Sequence, residues 1–141
     1  MAKSNSPKTW ASYDDAVTAF SGGSYDGIGF EFGNSPFVGI DIDHCIEGGA
    51  VNKEGQKIID DFTGYVELSP SGAGVHIIVK ADIADGKGRR KGNIEIYPAE
   101  RFFTVTGNVI PGYEKISTEG KALQALIAIV DAKTPLQELP Q

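Results

Sequence analysis

The chain has 141 residues, enough for one domain with a modest core and too few for two. Hydrophobic residues make up 40% and charged residues 23%, close to globular averages, which excludes a disordered chain or a coiled coil. The net charge of −6 argues against a surface built mainly to wrap nucleic acid, while leaving room for local basic patches.

The 18 glycines fall in short clusters between apolar runs, the pattern of tight turns. A single cysteine, Cys45, excludes an internal disulfide framework, fits a reducing compartment and is expected to pack in the core. The N-terminus lacks the pattern of a secretory signal, and no apolar run approaches the roughly 20 residues that span a bilayer. A soluble, cytoplasmic protein is expected.

Residues 1–11 are polar and without periodicity, and read as a loose N-terminal segment. Ser12 is a candidate N-cap for a short helix in which Tyr13, Ala16, Val17 and Phe20 share one face, ended by Gly22 and Gly23. The runs 27–32 and 37–42 are separated by Gly33-Asn34-Ser35-Pro36, which predicts a hairpin between them. Ile58, Ile59 and Phe62 predict an amphipathic helix over 53–62. Segments 65–68 and 75–80 read as antiparallel strands flanking the turn 69–74. A polar loop, 82–92, leads to strands at 93–97 and 101–106, and 121–130 is a final helix. The tail 134–141, with two prolines, reads as the start of a C-terminal linker, so the folded domain is expected over 12–133. The class is α+β, or mixed α/β, with a largely antiparallel sheet and flanking helices.

Chemistry concentrates in three places. Asp41 and Asp43 lie at i and i+2 at the end of an apolar strand, so a continuing strand presents both carboxylates on one face. Such a pair repels itself unless a divalent cation neutralises it, although a solvated strand end has the same sequence. The turn Ser69-Pro70-Ser71-Gly72-Ala73-Gly74 opens onto His76. Glycines at Gly72 and Gly74 let backbone N–H groups converge on an anion, and a nearby imidazole can donate to a phosphate oxygen. A plain hairpin turn and a satisfied strand histidine remain the alternative. The segment lacks the Gly-Lys-Ser/Thr ending and following helix of a Walker loop. Glu95 falls between Ile94 and Ile96; if these face the core, it projects toward Asp41 and Asp43. Three carboxylates on one face suit Mg²⁺ or Mn²⁺. Upstream, Arg89, Arg90 and Lys91 belong to the dense positive cluster 86–92, suited to phosphate or a nucleic-acid backbone, or simply a solvated loop.

Gly39-Ile40-Asp41-Ile42-Asp43-His44-Cys45, then Ser69 to His76, then Gly92-Asn93-Ile94-Glu95-Ile96-Tyr97, resemble in this order the archaeo-eukaryotic primase superfamily, especially primase-polymerase domains of phages, plasmids and integrated elements. The likeness runs from about Lys3 to Ile110 and includes Arg101-Phe102-Phe103-Thr104-Val105-Thr106-Gly107. It implies an RRM-like catalytic core and template-directed nucleotidyl transfer in replication of a phage or mobile element. Asp41, Asp43 and Glu95 would be catalytic and hold two metal ions, Mg²⁺ or Mn²⁺. Ser71, Gly72, Gly74 and His76 would bind the phosphates of a dNTP or NTP, with Arg90 and Lys91 contacting triphosphate or template. The other implied partners are single-stranded DNA and a helicase domain C-terminal in a parent protein, in the cytoplasm of a bacterial host or phage-infected cell. The chain is shorter than the larger relatives at both ends, so a catalytically weak or inactive nucleotide- or DNA-binding module is one alternative. A metal-dependent nuclease using the same carboxylates is another, although the Ser71-to-His76 turn points toward a nucleoside triphosphate. One cysteine and two histidines without ligand spacing do not make a zinc element; His44 and Cys45 are assigned to packing or to supporting the acidic pair.

Overall fold

Alternation of apolar residues with glycine and aspartate in Phe37–Ile42 builds a strand that can be paired on both edges and covered on both faces. The computed structural model describes residues 6–23, 25–33, 35–98 and 101–132. A short 3-10 helix, Pro7–Thr9, precedes α1 (Tyr13–Ser21), β1 (Ile28–Glu31), β2 (Phe37–Ile42), β3 (Ile46–Glu47) and β4 (Ala50–Val51). Then come α2 (Lys53–Phe62), β5 (Tyr65–Leu68), β6 (Val75–Lys80), β7 (Arg89–Lys91), β8 (Ile94–Tyr97), β9 (Phe102–Val105) and α3 (Gly120–Asp131). The fold is α+β, with a five-stranded antiparallel sheet in the order β5-β6-β2-β8-β7.

Period-two alternation gives the sheet two unlike faces. Val38, Ile40 and Ile42 of β2, Val75, Ile77 and Val79 of β6, and Ile94 and Ile96 of β8 are buried toward the helices. There they meet Ile59 and Phe62 of α2 and Leu123, Leu126 and Val130 of α3. Asn52 caps α2 by accepting from the Gly55 N–H at 2.9 Å, and Thr63 ends it in a left-handed conformation. The opposite face is half covered by a second, two-stranded sheet of β1 and β9. Phe32 and Phe103 pack edge to face there, 4.9 Å apart, against Ile78.

The helices over 53–62 and at the C-terminal end match the sequence expectation, as does the antiparallel pairing of 65–68 with 75–80. The predicted hairpin between 27–32 and 37–42 does not form; β1 pairs with β9 instead. Both edges of β2 are occupied by β6 and β8. Ser35 also donates from backbone and hydroxyl to the Phe32 carbonyl, turning the chain over the sheet instead of alongside it. The polar loop 82–92 contains a strand, β7, because the sheet edge at β8 supplies hydrogen-bond partners that local propensity does not reveal. The small β3–β4 ribbon was likewise not anticipated. Ser12 caps α1 as expected, accepting from the Asp15 N–H at 3.1 Å, but the helix buries no residue. The linker expected at 134–141 lies outside the described residues. Among the described residues no helix is long and apolar enough to cross a membrane.

The second sheet lies so close to β2 that a Cβ on Gly39 would come within 2.5 Å of the Phe32 ring and 2.7 Å of the Phe103 ring. Gly39→Ala is therefore expected to destabilise the fold by about 1–3 kcal/mol, the usual cost of overpacking. Urea unfolding checks this, and an unchanged midpoint would contradict the close packing.

Candidate active site

Strand register assembles the site. Asp41 of β2 lies directly opposite His76 of β6 on one side and Glu95 of β8 on the other. His76 in turn faces Glu67 of β5, and Glu95 faces Arg90 of β7. Five ionisable side chains, Glu67, His76, Asp41, Glu95 and Arg90, thus form one row across all five strands, on the face away from α2 and α3. Cross-strand neighbours on one face have Cβ atoms about 5 Å apart, so their charges act on each other strongly.

Asp41 sits at the centre of this row. Its Oδ1 is buried without a hydrogen-bond partner, and the nearest cationic candidate, His76 Nε2, is 3.9 Å away. Burial first, then the neighbouring charge of Asp43, with a smaller push from Glu95, raises its pKa from 3.8 to about 6, against the lowering pull of His76. Asp43 lies just past the end of β2, with its N–H donating to the Asn93 carbonyl. Glu95 is engaged differently, with Oε1 3.4 Å from Arg90 Nε.

The turn 69–74 is drawn against the end of β2. Gly74 makes this possible, because a Cβ there would fall 2.4 Å from the Ile42 carbonyl oxygen and 3.1 Å from the Asp43 Cα. Gly72 takes a positive φ of 75°, and Cys45 and Ile46 both donate from backbone to the Ala73 carbonyl. The glycine and alanine N–H groups of the turn are already used: Gly72 donates to the Ser69 carbonyl, Ala73 to Ser71 Oγ and Gly74 to Ser69 Oγ. What the turn offers a ligand beside Asp43 is therefore chiefly its hydroxyls, Ser69 and Ser71, which lie 3.2 Å from each other.

His76 is only 5% exposed, its ring stacked on Phe103 with centroids 4.1 Å apart. Its Nδ1 lies 3.4 Å from Glu67 Oε2, at ion-pair distance but out of line for a hydrogen bond. Glu67, which no sequence motif marks, is fully buried. It accepts from the Tyr65 hydroxyl at 2.7 Å, the Thr106 N–H at 2.8 Å and the Gly107 N–H at 3.3 Å. Burial alone would raise its pKa, but His76, the Tyr65 hydroxyl and the two amides outweigh it and bring it from 4.5 down to about 2.

Of the sequence candidates, the structure brings Asp41, His76 and Glu95 into one row and sets Asp43 and the Ser71 turn at its end. Arg90 joins from the sheet edge, with its side chain 75% exposed. Lys91 does not join them. It alternates to the helix face, where its ammonium donates to the Ile129 and Ala132 carbonyls at the C-terminal end of α3, the negative end of the helix dipole. Cys45 packs as expected, buried at the end of β2, whereas His44 is exposed in a left-handed turn at φ 55°.

The donor chemistry fits a hard divalent cation. Asp41 and Asp43 repel each other, and the buried oxygen of Asp41 has no hydrogen bond to lose. Among the described residues no group of three or more His, Cys, Asp or Glu is gathered closely enough to hold a metal ion as it stands. Glu95 would join such a site by exchanging Arg90 for the cation.

The two shifted carboxylates give opposite pH dependences. Between about pH 4 and 6 the native chain holds a proton on Asp41 that the unfolded chain has lost, so stability falls as pH rises through that window and then levels off. Glu67 contributes stability above pH 4.5 that is lost as pH falls toward 2. One pKa unit is about 1.4 kcal/mol, so after discounting for partial exposure the Asp41 penalty near neutral pH is on the order of 2 kcal/mol. Asp41→Asn should therefore raise metal-free stability near neutral pH and flatten the profile between pH 4 and 6. Denaturant titrations across that range check both, and a variant that retains the wild-type slope would contradict the assignment.

No family model matches the chain. The chain is similar to a DNA primase-polymerase from Nitratiruptor phage NrS-1, with 33% identity over 123 residues, and the match covers 82% of this chain. It spans 17% of that relative's length. Similarity over 82% of its length relates this chain to a segment of a phage primase-polymerase.

Proposed function

We propose that this domain is the nucleotidyl-transfer unit of a DNA primase-polymerase, adding nucleotides to a DNA strand on a single-stranded template. The observation that carries the reading is the row across the sheet. It sets Asp41, with its buried unpartnered oxygen, between His76 and Glu95 on the central strand. The related phage primase-polymerase supports the same class of chemistry.

In this reading Asp41 and Asp43, joined by Glu95, hold Mg²⁺ or Mn²⁺. The cations would supply charge neutralisation at the reacting phosphate and activation of the attacking 3′-hydroxyl. This chain's own residues bind and orient the nucleotide. The Ser71 hydroxyl, held at the end of the row by the Gly74 contact with Asp43, reaches the phosphates from the turn. His76 is stacked on Phe103 and directs Nε2 toward Asp41, where a phosphate oxygen bound beside the carboxylates would meet it. Arg90, exposed and weakly paired with Glu95, is available to a triphosphate or to the template backbone. A dNTP or NTP is the small substrate, single-stranded DNA the template, and a C-terminal helicase domain a fitting partner in a longer protein.

Calorimetric titration of dNTP into the chain, with and without Mn²⁺, tests this directly. Metal-dependent binding is expected, and Asp41→Ala/Asp43→Ala should weaken it by about 100-fold or more, the scale of several kcal/mol of lost charge stabilisation. Primer extension by the wild-type chain should fall in parallel. Absence of metal-dependent binding by a well-folded wild-type chain would overturn the proposal, and metal-dependent cleavage of single-stranded DNA without dNTP binding would replace it with a nuclease.

A further inference from the structure

Glu67 is the one member of the row that the proposed chemistry leaves without a task. It is fully buried, on the edge strand β5, and separated from Asp41 by the width of His76. A buried carboxylate is costly to keep unless its surroundings require it. Here its Oε1 accepts from the Tyr65 hydroxyl and the Gly107 N–H, while Oε2 accepts from the Thr106 N–H and lies 3.4 Å from His76 Nδ1. Two of the residues it ties down, Thr106 and Gly107, directly follow β9, the strand that carries Phe103, whose ring stacks on His76. The imidazole is thus bounded twice, at its face by the stacked Phe103 ring and on its Nδ1 side by the Glu67 carboxylate 3.4 Å away, and its Nε2 lies 3.9 Å from Asp41 Oδ1.

We infer that Glu67 is a positioning residue that sets the ring plane of His76, so that Nε2 faces the nucleotide phosphates beside Asp41. This rests on the reading of the row as a nucleotide site. Glu67 makes no contact with substrate; its effect on binding passes entirely through His76. A purely architectural carboxylate would need only Tyr65, Thr106 and Gly107. Glu67 stands at the position in register with His76.

The test separates anchoring from positioning by three variants of the full chain, each read by thermal melting and by calorimetric dNTP titration in Mn²⁺. Tyr65→Phe removes one anchor of Glu67 but leaves the carboxylate against His76; it should lower the melting temperature and change the dNTP Kd by less than about twofold. Glu67→Gln keeps the shape but removes the negative charge beside Nδ1, and should weaken dNTP binding about tenfold, with His76→Ala weakening it at least as much. In the His76→Ala background, Glu67→Gln should cause no further loss of binding, because its only route to the nucleotide is gone. Should Glu67→Gln fail to give a cooperative melt, Glu67→Asp, which retains the charge but withdraws it by one methylene, carries the same comparison. Wild-type dNTP affinity in a folded Glu67 variant, alongside a weakened His76→Ala, would overturn the positioning role and leave the nucleotide site standing. Additive losses in the double variant would also overturn it. Failure of wild type to bind dNTP at all would instead remove the nucleotide reading, and this inference with it.

Discussion

The register of the central strand is the constraint on which the site depends. Asp41 occupies the only strand in the sheet that has β6 on one edge and β8 on the other, so a single pairing choice sets both of its neighbours. Side chains alternate with period two, and a slip of one residue would carry Asp41 into the layer filled by Ile59, Phe62 and Leu123. The apolar set Val38, Ile40 and Ile42 therefore enforces the position of the acids as firmly as it builds the core. Burial on the helix face and ionisable chemistry on the other are two consequences of one alternation.

Within the row, two carboxylates on either side of His76 behave in opposite ways. Glu67 is the more deeply buried, yet three protein donors and the imidazole hold its negative charge, and its pKa is depressed. Asp41 is less buried, yet it has an unpartnered oxygen and two acidic neighbours, and its pKa is raised. Depth alone does not decide the sign; the supply of donors does. A charge whose donors are already in place stabilises the fold, whereas a charge left short of them stabilises only when a cation or proton arrives. The row thus contains one carboxylate whose charge the protein satisfies and one whose charge it leaves short of donors. This division links the packing of β9 over the sheet to the chemistry at β2.

Much of the site was legible in the sequence because it follows from strand parity. Glu95 between two core isoleucines could face only the side opposite them, and the structure pairs it with Asp41. The turn 69–74, read as joining two antiparallel strands, carried a further consequence: with Leu68 opposite Val75, Glu67 falls opposite His76. That step of counting would have found Glu67, whose sequence context otherwise resembles an ordinary strand glutamate. Lys91 misled for a related reason. Its charge suggested a phosphate, but one position beyond Arg90 lies the other face of the sheet, where the α3 carbonyls take it. The exchange of partners by β1 was not legible at all. Its pairing with β9 joins segments more than seventy residues apart, and local turn chemistry at 33–36 carries no information about which distant edge remains open.

The central claim is that the cation and the nucleotide meet at this row, and the most direct test is to locate Mn²⁺ in solution. Backbone amide spectra of the ¹⁵N-labelled chain, recorded while Mn²⁺ is added at substoichiometric amounts in the presence of dNTP, report proximity through paramagnetic broadening. Resonances of Asp41, Asp43, His76 and Glu95, together with the turn at Ser71, are expected to broaden first, ahead of those of α3 on the far side of the sheet. Broadening centred elsewhere, or none at concentrations that saturate a specific site, would contradict it.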